Sequence, residues 1–109
     1  MPNYSRNDIL LVQYPFSDLS AAKVRPAVIV SVSHPSRDSF IVPLTSRLRD
    51  LMPGEFGLRD WKEAGLNVPT AVKRGIYTVH PDLVIKRVGR LSSRDAEDLQ
   101  NSLRGWLGL

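Results

Sequence analysis

Cysteine is absent from the 109 residues. That removes disulfides, thiolate nucleophiles and cysteine-held zinc at once. Only two histidines occur, His34 and His80, each beside a proline in a turn-forming context, with no spacing that would let them share a metal. No metal and no cofactor is therefore expected. The seven glycines are isolated from one another, so no phosphate-cradling glycine loop exists. No serine stands in a nucleophile-elbow context. The longest apolar runs, Ile9–Val12 and Ala27–Val30, fall far short of a bilayer span. The first residues, Met1–Arg6, lack the apolar core of a signal peptide. These absences predict a cytoplasmic protein with no membrane partner, and they disfavour most enzyme classes.

What is present is a chain with 42% hydrophobic residues, neither disordered nor membrane-like. Its length predicts a single domain over 1–109, with a core that is marginal unless efficient or shared with a second copy. The net charge is +4, from 15 Lys and Arg against 11 Asp and Glu. The basic residues punctuate loops and strand ends: Lys23/Arg25, Arg47/Arg49, Lys73/Arg74, Lys86/Arg87, Arg90 and Arg94. Singly each reads as a solvated charge; together they suit a groove that takes a polyanion.

Apolar and β-branched runs predict strands over Asp8–Tyr14, about Pro26–Ser33, and Phe40–Val42, the last ended by Pro43. Lys23, Val24 and Arg25 read as a polar loop leading into Pro26, which sits at the strand's first residue. Residues 16–23 form a loop of small and polar side chains, and 34–38 a turn. Connections this short force antiparallel pairing of the first three strands. Further strands are expected near Glu55–Leu58, with Gly57 at a bulge, within Val68–Val79, and over Leu83–Leu91. Arg47–Pro53 reads as a short helical turn, and His80–Asp82 as a turn. The clearest helix is the tail. Ser92 or Ser93 caps it, and Asp95, Glu97 and Asp98 complement the dipole of its first turns. Ala96, Leu99, Leu103 and Trp106/Leu107 share one face. Gly105 and Gly108 loosen its end. The fold class is thus mainly β with α: a small, strongly bent antiparallel sheet or barrel with a C-terminal helix.

One reaction is cheap in residues. RNA can be cleaved through its own 2′-hydroxyl, so the protein need supply only proton transfer and charge stabilisation. Arg25 before strand two and Thr45 after strand three suit this task. A guanidinium grips a phosphorane in a bidentate manner, and a hydroxyl donates to a non-bridging oxygen. Adjacent antiparallel strands bring the start of one beside the end of the next, so the two should lie close together. Lys73 and Arg74 would add phosphate affinity or simply be solvated.

The ordered strings Asp8–Val12, Pro15–Asp18, Arg25–Ser31, Val42–Ser46 and Gly89–Ser92 resemble the MazF/PemK family of toxins from type II toxin–antitoxin systems. The likeness runs from about Asp8 into the tail helix. It implies an SH3-like barrel, a homodimer, and metal-independent, sequence-specific cleavage of single-stranded RNA to 2′,3′-cyclic phosphate and 5′-hydroxyl ends. By matching position, it assigns catalysis to Arg25 and Thr45. It places substrate contacts in the loop 17–24, with Asp18, Ser20 and Lys23, and beside Thr45 at Ser46 and Arg47. It further implies a cognate antitoxin whose acidic, partly disordered segment competes for the groove. The glycine that usually precedes the first strand is Asn7 here. Where some members carry an Arg-x-Asp carboxylate, this chain reads Ala71–Thr78 and has none. The alternative is a non-enzymatic, CcdB-like poison that binds DNA gyrase, with Trp106 near the chain end as its contact.

Overall fold

The computed structural model describes residues 4–14 and 23–109. Its strands are β1 (Asp8–Tyr14), β2 (Lys23–Ile29), β3 (Ser39–Thr45), β4 (Phe56–Gly57), β5 (Ala71–Val72), β6 (Tyr77–Val79) and β7 (Val84–Arg90). A 3-10 turn at Pro81–Leu83 precedes β7, and helix α1 (Ser93–Leu107) closes the chain. The strands pair in the order β4-β5-β3-β2-β1-β7, with β6 also paired to β3. Every pairing is antiparallel, which gives a bent, barrel-like sheet whose described path does not close on itself.

Within β1, β2 and β3 the stretches Ile9–Val12, Ala27–Ile29 and Ile41–Leu44 are unbroken apolar runs because both of their faces are covered. Successive strand residues point to opposite sides, so one run feeds two cores. Ile9, Val28, Val42 and Leu44 enter the first, which Leu99 and Leu103 of α1 cover. Leu10, Val12, Ala27, Ile29 and Ile41 enter the second, against which Tyr4, Leu83 and Val84 pack. Among the described residues, no helix is long and apolar enough to cross a membrane.

Two prolines lie inside strands that they were expected to bound. β2 starts at Lys23, so Arg25 is a strand residue paired with Val12 and not the end of a loop. Pro26 pairs with Leu11, but the β2–β3 ladder begins only at Ala27. The missing N–H therefore removes no bond on the β3 side. β2 also stops at Ile29, short of Ser33. β3 continues through Pro43 to Thr45 because it changes partner there: pairing with β2 ends at Pro43 and pairing with β5 begins at Leu44. The Pro43 carbonyl accepts a hydrogen bond from the Lys73 N–H at 3.0 Å.

Other expectations shift by local chemistry. The segment after β3 forms bends in place of a helical turn, with Asp50 at a φ of 56°. Val68–Val79 holds two short strands, β5 and β6, separated by Gly75. His80 caps the 3-10 turn, its Nδ1 accepting from the Asp82 N–H. Asn7 adopts a φ of 77°, a left-handed conformation that asparagine tolerates far better than most side chains. Ser92 caps α1 by accepting from the Asp95 N–H. Gly108 terminates the helix as a left-handed cap rather than loosening it, while Gly105 stays within it.

Candidate functional site

The β2–β3 ladder pairs Ala27 with Pro43 and Val28 with Val42. The ladder ends at Ala27–Pro43, so Arg25 and Thr45 each lie two residues beyond it, Arg25 paired with Val12 of β1 and Thr45 with Ala71 of β5. Both side chains border an open cleft of about 870 Å³ at this end of the sheet. Arg25 is exposed and Thr45 half-buried. The Thr45 Oγ1 accepts a hydrogen bond from the Arg47 N–H at 3.1 Å. A hydroxyl that accepts in this way keeps its own proton for donation to another group.

Three other elements complete the walls. Lys73 follows β5 and is held beside β3 by its N–H bond to the Pro43 carbonyl. Gly65, Leu66, Asn67 and Val68 form a loop wall, seated on β7 by a close backbone approach. Gly65 takes a φ of 94°, and a Cβ there would stand 2.6 Å from the Val88 carbonyl oxygen. A Cβ on Gly89 would collide with the Ala64 carbonyl. Glycine at both positions is what lets this loop lie against the strand.

β7 supplies Lys86 and Arg87. Consecutive strand residues normally face opposite ways. Against β1 the register steps from Ile9↔Gly89 to Leu10↔Arg87, and from Leu11↔Lys86 to Val12↔Val84. Val88 and Ile85 are thus extra residues that twist the strand on either side of the regular Leu10↔Arg87 and Leu11↔Lys86 pairs, and both basic residues border the cleft.

The cleft therefore gathers Lys23, Arg25, Lys73, Lys86 and Arg87, with no carboxylate among its described lining residues. Clustered cations with low-dielectric walls attract a polyanion. Of the residues expected from sequence, Lys23, Arg25, Thr45, Ser46 and Lys73 meet here. Arg47 does not line the cleft; its guanidinium lies 3.8 Å from Asp50 and both groups are exposed. Arg74 also lies outside it, its N–H donating to the Glu55 carboxylate at 2.7 Å. That bond holds the Glu55 carboxyl below its ordinary value. Asp18 and Ser20 lie outside the described residues.

Asn67 and Tyr77 border the cleft without having been singled out in the sequence, whereas Lys86 and Arg87 had been grouped there only with the other basic residues suited to a polyanion groove. The pair 86–87 stood out as basic, yet only the bulged β1–β7 pairing carries it to the site. His34 and His80 spend their Nδ1 atoms on local turns, with Ser36 and Asp82 as partners. Among the described residues, no three His, Asp or Glu side chains form a metal-sized group.

Solved structures share this fold. An endoribonuclease in complex with its cognate antitoxin from Mycobacterial species superposes with a TM-score of 0.77 at 21% identity, over 98% of this chain and 97% of that one. MazF from Deinococcus radiodurans superposes with a TM-score of 0.79 at 16% identity, covering all of both chains. MazE-MazF from the same organism gives 0.78 at 13% identity over 97% of each chain. Among curated proteins, no sequence match was found. A family model described as "PemK-like, MazF-like toxin of type II toxin-antitoxin system" matches residues 5–107. With nearly the whole chain inside that match, the protein belongs to the PemK-like, MazF-like toxins of type II toxin–antitoxin systems.

Proposed function

We propose that the chain is a metal-independent endoribonuclease that cleaves single-stranded RNA at short sequences. The observation that carries this reading is that Arg25 and Thr45 border one cleft together with Lys23, Lys73, Lys86 and Arg87. The family, and the structural likeness to an endoribonuclease from Mycobacterial species, support it.

In this scheme the substrate's 2′-oxygen attacks the adjacent phosphorus and the P–O5′ bond breaks. The 2′-hydroxyl proton passes to water, and the departing 5′-oxygen takes up a proton. The products carry a 2′,3′-cyclic phosphate and a 5′-hydroxyl. Arg25 faces the phosphorane with paired N–H donors, and Thr45 donates its hydroxyl proton to a non-bridging oxygen. Donors already in place need not reorganise as the charge develops, which is why such groups act chiefly on the transition state. Lys23, Ser46 and Lys73 hold the strand through its backbone. Arginine stays protonated at ordinary pH and does not serve as the base.

The same cations suit an acidic segment of a cognate antitoxin, which would compete with RNA and order itself on binding. We further read the protein as a cytoplasmic homodimer. The gyrase-binding alternative gains nothing from Trp106. Its Nε1–H donates to the Pro53 carbonyl at 3.0 Å and its ring lies against Gly54, so the side chain serves an internal contact.

The test is incubation with a long single-stranded RNA in excess EDTA, beside Arg25→Ala. Discrete fragments ending in 2′,3′-cyclic phosphate are expected from the natural protein. The variant should be slower by roughly 10²–10³-fold, the scale for one preorganised donor. Intact RNA with folded natural protein would overturn the reading.

A further inference from the structure

We propose that Arg87, held in place by Asp8, binds an RNA phosphate flanking the one that Arg25 and Thr45 engage; the proposal rests on the RNA-cleaving reading. Asp8 opens β1 with its side chain only 6% exposed. Its Oδ1 accepts from Arg90 Nη1 at 3.1 Å and stands 3.2 Å from Arg87 Nε as an ion pair, and its Oδ2 accepts from the Ser5 N–H at 2.8 Å. A carboxylate this buried is usually tied to partners, and here two are guanidinium groups on one strand.

The ion pair with Asp8 is made at the Nε of Arg87. The four Nη hydrogens of a guanidinium then remain for a ligand, in a fork that matches two phosphate oxygens. Arg87 is half-exposed and borders the cleft, whereas Arg90 does not. The Asp8 contact thus limits the freedom of a long side chain at the cleft's edge and lowers the entropy lost when it grips an anion. Arg25 pairs with Val12 and Arg87 with Leu10, so the two lie two inter-strand steps apart and two residues offset along β1, roughly 12 Å. That offset assigns Arg87 to a neighbouring phosphate and not to the reacting one. Asp8 is a positioning residue, acting through Arg87.

The experiment uses an RNA that the natural protein cleaves and its fully 2′-O-methylated copy, which lacks the attacking hydroxyl. Affinity for the copy is measured across a salt series for the natural protein, Arg87→Gln, Arg87→Lys, Asp8→Asn and the double variant. Circular-dichroism melts verify folding. Arg87→Gln should bind roughly tenfold more weakly, the scale of a lost charged hydrogen bond. Its log–log salt slope should shrink by about 0.7, the value for one single-strand phosphate contact. Arg87→Lys should recover little affinity, because one ammonium cannot serve Asp8 and a phosphate together. Asp8→Asn should weaken binding with the slope kept, and should add nothing to Arg87→Gln.

An unchanged affinity and slope for Arg87→Gln would overturn the proposal while leaving the nuclease reading intact. Additive losses in the double variant would remove the positioning role of Asp8. A saturating cleavage rate that falls as far as in Arg25→Ala would place Arg87 on the reacting phosphate instead. A natural protein that neither binds nor cleaves RNA would overturn both the reading and the proposal.

Discussion

Asp95, in the first turn of α1, accepts the backbone N–H groups of Arg59 at 3.0 Å and Asp60 at 2.9 Å, residues 36 and 35 positions earlier in the chain. The side chain is fully buried, and each oxygen takes one bond. A carboxylate used in this way splices a loop to the helix start; it does more than complement the dipole.

Asp95→Ala leaves two backbone donors without partners in a buried place. A loss of about 2–4 kcal/mol in unfolding free energy is expected, from the cost of such orphaned groups. Urea denaturation followed by tryptophan fluorescence measures it. A change below about 0.5 kcal/mol would show that water replaces the carboxylate readily.

Beside this splice, Arg94 grips Asp60 through two bonds of 2.7 Å, from Nε and Nη2. The Arg94 guanidinium, helped by Ser92, holds the Asp60 carboxyl well below the usual carboxylate range. A lowered folded-state pKa favours the fold above the unfolded value near 3.8 and is withdrawn as pH falls further. Asp60→Asn should therefore be less stable at pH 7 and should lose less stability between pH 5 and about pH 2. Urea midpoints for both proteins across that range decide it. Parallel curves would mean that the fork contributes nothing through ionisation.

Gly89→Ala presses a methyl group against the Ala64 carbonyl, which is backbone and cannot rotate away. Overpacking of this kind costs about 1–3 kcal/mol. Because Gly65–Val68 form a cleft wall, the variant should also bind RNA more weakly even where it remains folded. Denaturation and RNA titration on one sample separate the two effects. Full stability with weakened binding would mean that the loop swings aside at little cost.

How far the chain could be read in advance follows the range of the forces involved. That Arg25 and Thr45 would border one end of the sheet was legible because consecutive antiparallel strands with a short connection leave few ways to align. Lys73 could be suspected from its charge, but its place needs the β3–β5 pairing. Lys86 and Arg87 were visible as basic and still could not be assigned. Their direction depends on two one-residue bulges against β1, and a slip of one residue reverses a side chain's face. Pro26 and Pro43 read as strand ends from local chemistry. Both sit inside strands, because pairing on one side starts or changes beside them.

The sequence by itself determined the elements set by neighbouring residues: β1 over Asp8–Tyr14 and the helix Ser93–Leu107 with its Ser92 cap. Side-chain alternation, capping hydroxyls and helical spacing act within a few residues, so they are written in the string. The tertiary structure alone decided which cations face one cleft, what Asp8 and Asp95 hold, and where Trp106 is spent. Those outcomes depend on pairing and close packing between segments tens of residues apart. There, a one-residue shift in register or a single close backbone contact changes the answer while the local pattern stays the same.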